Sequence, residues 1–98
     1  MPEMTFDVRW PDGSVQSCYS PSLVMHDHLT TGGRYTVAEF LSRSGEALQQ
    51  ASERVRAKYG FACTSAAATA DGIRHTASRF PGDAEVEITA MQPDLERP

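Results

Sequence analysis

Two histidines one residue apart, a cysteine just ahead of a helix and a short run of carboxylates are the residues of this chain best suited to chemistry. Cys63 precedes Thr64 and Ser65, either of which can cap a second helix. A sulfur placed there lies near unsatisfied N–H groups and the positive end of a helix dipole, a setting that lowers a thiol pKa and favours the nucleophilic thiolate. Cys63 is therefore the candidate catalytic residue. The competing reading is a small buried hydrophobe between Phe61 and the alanines that follow. His75 lies three turns along the same helix and cannot serve as its local base.

His26, Asp27, His28 and Tyr35 are the candidate binding residues. His26 and His28 could both reach an ion from an extended segment, with Cys18, Cys63 or His75 completing a site. The paired second half of a structural zinc site is missing, so no metal is expected. Glu85 and Glu87, preceded by Asp83, share one strand face. An outward acidic pair on an edge strand also discourages aggregation, and nothing in the sequence buries either carboxylate as an acid catalyst requires. Thr31-Gly32-Gly33 lacks the second glycine group and the lysine of a phosphate loop, and there is no Ser-His-Asp elbow. No cofactor is expected, and the lack of an assembled constellation points to a non-enzymatic role.

The elements that must position these residues read clearly in places. Met4, Phe6, Val8 and Trp10 alternate with Thr5, Asp7 and Arg9, the pattern of a strand with one buried face. Pro11-Asp12-Gly13 supplies a turn, and residues 14–20 return as a second strand with Val15 and Tyr19 on the inner face and Cys18 with Gln16 opposite. Pro21 ends that strand. Residues 21–34 form a long connection, with room for a short strand near Leu23 to Met25. Thr36 and Glu39 make a capping box, and Tyr35 with Phe40 a hydrophobic staple. Val37, Phe40, Leu41, Ala47, Leu48, Ala51, Val55 and Tyr59 then recur at helical spacing, predicting a helix over 37–59. Gly60 suits its left-handed C-terminal cap, with Phe61 folding back on Val55. A second helix begins after Cys63, keeps Ile73, Ala77 and Phe80 on its buried side, and stops at Pro81-Gly82. Ala84, Val86, Ile88 and Ala90 alternate with Glu85, Glu87 and Thr89 as a third strand, and residues 92–98 read as a polar tail. The order β-β-α-α-β predicts an α+β two-layer sandwich: a three-stranded, mainly antiparallel sheet covered on one face by two helices. The outer sheet face would be polar, carrying Thr5, Asp7, Arg9, Gln16, Glu85 and Glu87.

Ninety-eight residues, 40% of them hydrophobic and 22% charged, suffice for one domain spanning residues 1–98. A net charge of −4 lacks the basic footprint that nucleic acid demands. No apolar run approaches the ~20 residues of a membrane span. The N-terminus shows no signal-peptide pattern, and the two cysteines are expected as free thiols in a cytoplasmic protein.

Several segments resemble a family of small bacterial nitrogen starvation response proteins: Arg9-Trp10-Pro11-Asp12-Gly13-Ser14, Cys18-Tyr19-Ser20-Pro21-Ser22, Tyr35 through Leu41, and Ala51 through Cys63. The resemblance implies genes clustered with a nitrilase, a radical-SAM protein and a flavin-dependent oxidoreductase. It thus implies a place in nitrogen assimilation from nitrile- or cyanide-like compounds, and it supplies no catalytic residue. The function expected is a small accessory protein that binds an enzyme or metabolite of that pathway, with proteins of the nitrilase gene cluster as partners. The alternative is a thiol-dependent enzyme or carrier using Cys63. For the accessory role, the connection of residues 21–35 and the exposed sheet face would form the working surface.

Overall fold

The computed structural model describes residues 3–60 and 64–93. β1 (Met4–Arg9) and β2 (Val15–Ser20) form the expected antiparallel hairpin. Its turn is held by the Asp12 carboxylate, which accepts from the Ser14 N–H at 3.0 Å and the Ser14 hydroxyl at 2.7 Å, and by Gly13 at φ 90. The Trp10 N–H donates to the Ser14 carbonyl at 2.8 Å, and the resulting register sets Met4 opposite Ser20, Phe6 opposite Cys18 and Val8 opposite Gln16. Opposed residues share a face, so the even-numbered residues of β2 point into the core.

This reverses the faces expected for β2. Cys18 is 4% exposed, whereas Val15 is 56% exposed. Turn geometry decides the register, and one residue of slip would exchange the faces. Gln16 also has a task inside: its Oε1 accepts from the Trp10 indole N–H at 3.0 Å, a donor that would be costly to leave unpaired.

The sheet has four antiparallel strands in the order β2-β1-β4-β3, one more than expected. β3 (Arg34–Thr36) is only three residues long and runs straight into the first helix, too short for alternation to reveal. β4 (Glu85–Gln92) therefore lies between β1 and β3 and is not an edge. A register shift opposite Asp7 and Val8 pairs them with Ala90 and Ile88, which brings Met91 rather than Ala90 into the core. Gln92, expected in the tail, pairs with Thr5.

Leu23–Asp27 is a 3-10 helix, not a strand. The buried Ser22 hydroxyl caps it by accepting from the Val24 N–H, and Val24, Met25 and Leu29 are core residues. The connection is thus largely packed structure.

α1 spans Val37–Tyr59, the range its periodicity predicts. Thr36 Oγ1 accepts from the Glu39 N–H at 3.0 Å, while the Val37 and Ala38 N–H groups donate to the Ala84 and Gly82 carbonyls. Three of the four donors that open a helix are thereby satisfied. Glu39 pairs with Arg43 at 2.8 Å, one turn on. Gly60 closes the helix in the left-handed region at φ 83. Tyr59, placed on the apolar stripe by spacing, is 50% exposed, with Lys58 Nζ 6.0 Å from its ring centroid. The expected contact of Phe61 with Val55 lies outside the described residues. α2 spans Thr64–Ala77 and buries Ala66, Ile73 and Ala77.

Both helices cover the face bearing Met4, Phe6, Val8, Val86, Ile88 and Met91. Trp10 is stacked on Phe80, with centroids 5.7 Å apart, and meets Phe40 edge-on at the same distance. Such pairs add about 1 kcal/mol each beyond buried area. Among the described residues, every buried side-chain polar atom has a hydrogen-bond partner.

Candidate functional site

The residues singled out for binding sit on the 3-10 helix, at its end and on β3. The His26 ring nitrogen Nε2 lies 2.8 Å from the Pro93 carbonyl, joining the 3-10 helix to the segment after β4. His28 faces α1 instead, its Nε2 3.1 Å from Gln50 Oε1 and its Nδ1 3.5 Å from Glu46. Arg43 donates to the His28 carbonyl at 3.1 Å and lies over the Tyr35 ring, 5.1 Å from its centroid. The Tyr35 hydroxyl accepts from the Thr30 N–H at 3.1 Å, and Asp27 is exposed. The two imidazoles thus turn toward different elements, each with a partner from the protein. No group of three or more His, Cys, Asp or Glu side chains able to hold a metal occurs among the described residues.

Of the two thiols, Cys63 lies outside the described residues. Cys18 sits on the core side of β2, and burial, reinforced by the Asp7 charge, pushes its pKa up to about 12. Its Sγ lies 3.9 Å from the Gln16 carbonyl. A thiol so placed stays protonated near neutrality and is a poor nucleophile.

The carboxylates of β4 are engaged on the outer sheet face. Glu87 pairs with Arg9 of β1 at 3.5 Å and Glu85 with Arg34 of β3 at 3.9 Å. On the same face the Ser17 hydroxyl donates to Asp7 at 2.7 Å and the Tyr19 hydroxyl to Glu3 at 3.1 Å. The result is a polar face on four strands, with the cations from β1 and β3 flanking the carboxylates of β4. Pattern found Arg9, Glu85 and Glu87. It missed Arg34, whose strand is too short to alternate, and it wrongly included Gln16.

Two of the clefts among the described residues lie beside α2. One, of about 310 Å³, runs between α1 and α2 past Gly45, Leu48, Ser52, Ala66, Ala70 and Arg74. Arg74 is occupied by Asp71 one turn before it. The other, of about 280 Å³, lies where α2 overhangs β2, between Gln16, Ser17, Cys18 and Tyr19 on one side and Ala68, Thr69 and Gly72 on the other. Sequence reasoning could not find either, since both depend on how closely alanine and glycine let α2 approach its neighbours. Among the described residues no helix is long and apolar enough to cross a membrane.

No curated protein and no solved structure matches the chain significantly. Residues 5–91, which take in all the elements of the fold but the first residue of β1 and the last of β4, match the family model described as nitrogen starvation-induced protein NitG. The chain belongs to the NitG family of nitrogen starvation-induced proteins.

Proposed function

We propose that the chain is a small accessory protein of the nitrogen starvation response that docks onto an enzyme of nitrogen assimilation through the uncovered face of its sheet. The observation that carries this reading is the state of that face. Its ion pairs are open, at 3.5 and 3.9 Å, and all their members are exposed except the half-buried Glu87. Pairs of this kind contribute about 0–1 kcal/mol, so a partner can displace them and re-pair the charges at little cost. Charges arranged on such a face set partner orientation and association rate more than bulk affinity. The enzymes of a nitrilase gene cluster are the first partners to examine.

The test is copurification of the tagged chain from nitrogen-starved cells, beside an Arg9→Glu/Arg34→Glu variant. The expected outcome is an assimilation enzyme recovered with the parent chain and lost with the variant, while an Arg9→Gln/Arg34→Gln chain, which opposes no like charges across the sheet, also loses it with a urea midpoint near the parent's. Recovery of no such enzyme, or equal recovery with parent and variants, overturns the reading.

A further inference from the structure

We infer that β2 is a self-recognition edge, pairing antiparallel with β2 of a second copy about a two-fold axis at Ser17, so that two four-stranded sheets join into one of eight strands. β2 ends the sheet, with β1 as its one neighbour among the described strands. Because Trp10 and Ser14 are a hydrogen-bonded pair, antiparallel alternation directs the main-chain groups of Gln16, Cys18 and Ser20 toward β1. The main-chain groups of Val15 and Ser17 then point to the open edge.

Natural edge strands are usually blunted by charge, proline or a bulge. β2 has none of these: its sequence Val-Gln-Ser-Cys-Tyr-Ser is uncharged and its register with β1 is unbroken. The chain carries a net charge of −4, yet β2 itself bears no carboxylate, and the nearest ones, Asp7 and Glu3, already accept hydrogen bonds from Ser17 and Tyr19.

A second copy fits this edge by register. With the axis at Ser17, each Ser17 faces its counterpart and exchanges both main-chain hydrogen bonds with it. Gln16 then lies opposite Cys18 on the helix-covered side, and Val15 opposite Tyr19 on the outer side. This parity keeps both helical layers on the same face of the joined sheet. It also covers Val15, which is 56% exposed in the single chain, with an aromatic neighbour, a favourable cross-strand pair. On the covered side the flank of α2 along the β2 cleft consists of Ala68, Thr69 and Gly72. Such small side chains offer little bulk against a second copy at this edge. The inference needs no partner from nitrogen assimilation and stands apart from the docking role proposed for the outer face.

The experiment uses the purified full chain. Sedimentation equilibrium is expected to show a concentration-dependent dimer, and Val15→Lys, a charge of the kind that protects edges, to weaken it by about tenfold or more. In a Cys18→Ala/Cys63→Ser background, Ser17→Cys is expected to form an intermolecular disulfide under mild oxidation, since hydrogen-bonded antiparallel partners lie about 5.5 Å apart at Cα, within disulfide reach. Val15→Cys, whose counterpart is four residues away along the pair, should not. A chain that is monomeric throughout, a dimer indifferent to Val15→Lys, or equal cross-linking at positions 15 and 17 overturns the inference. Dimerisation of the cysteine-free parent with no cross-link at position 17 does so as well, by placing the interface elsewhere.

Discussion

A thiol on the inner face of β2 loses the water that would stabilise its thiolate, and the nearby Asp7 charge adds to the penalty, which is why the Cys18 pKa rises to about 12 from the usual 9.0. The sign of the pH effect follows. Below about pH 9 the thiol is protonated in both folded and unfolded chains and its full contribution to stability is present. Between that value and about 12 the unfolded chain gives up the proton and the folded chain does not, so stability falls as pH rises through the window. Urea midpoints at pH 8 and pH 10 should therefore separate more for the parent than for Cys18→Ala. In a Cys63→Ser background, Cys18 should resist iodoacetamide at pH 8 until denaturant is added. Rapid native alkylation would show that β2 does not hold Cys18 in the core. At the turn, Asp12 behaves oppositely: the Ser14 hydroxyl and then the Ser14 N–H hold its carboxyl below the usual range, so the turn should loosen only in strong acid.

Helix α1 shows how local signals add up within one element. Its two glycines lie in different backbone regions, and the same substitution should have opposite effects. At Gly45 an added Cβ would meet nothing within 4 Å, so Gly45→Ala should stabilise by about 1 kcal/mol through helix propensity alone. At Gly60 the space is equally open, but φ is 83, so Gly60→Ala should destabilise by ~1–2 kcal/mol. Thr36→Ala should cost about 1 kcal/mol by freeing the Glu39 N–H. Urea unfolding of the three variants measures all of these, and a stabilised Gly60→Ala would contradict the cap. Gly33 in the connection before β3 is held by contact instead: an added Cβ would lie 2.7 Å from the Tyr35 hydroxyl and 2.9 Å from the Thr30 carbonyl. Gly33→Ala should therefore break the hydrogen bond between Tyr35 and the Thr30 N–H, and it should shift the backbone that gives β3 its start.

At the scale of the whole molecule, stability rests on one core shared by the sheet, both helices and the 3-10 helix. Phe40 is fully buried there against Trp10. Phe40→Ala should cost about 3–5 kcal/mol, a large part of the 5–15 kcal/mol by which a domain is usually stable. Trp10 fluorescence should report the loss as a sharply lower urea midpoint. The outer face is different: there Arg9→Gln/Arg34→Gln should alter partner recovery far more than stability, because it removes two weak ion pairs outside this core and opposes no like charges.

The elements with long, regular periods were legible from sequence alone. The 23 residues of α1, with a threonine at one end and a glycine at the other, carry enough repeats and end signals to fix their own bounds. β1 likewise shows its faces by unbroken alternation, and the family could be recognised from segments spread along the chain. What sequence left open was settled by contacts between distant residues. β3 exists because three residues pair with β4, and Met91 turns inward because of a bulge against β1. β2 faces as it does because its turn and the Trp10 indole outweigh its own weak pattern. Short strands carry too few side chains to declare a face, so their orientation belongs to their neighbours, and with it the placement of Cys18, Arg34 and the carboxylates of β4.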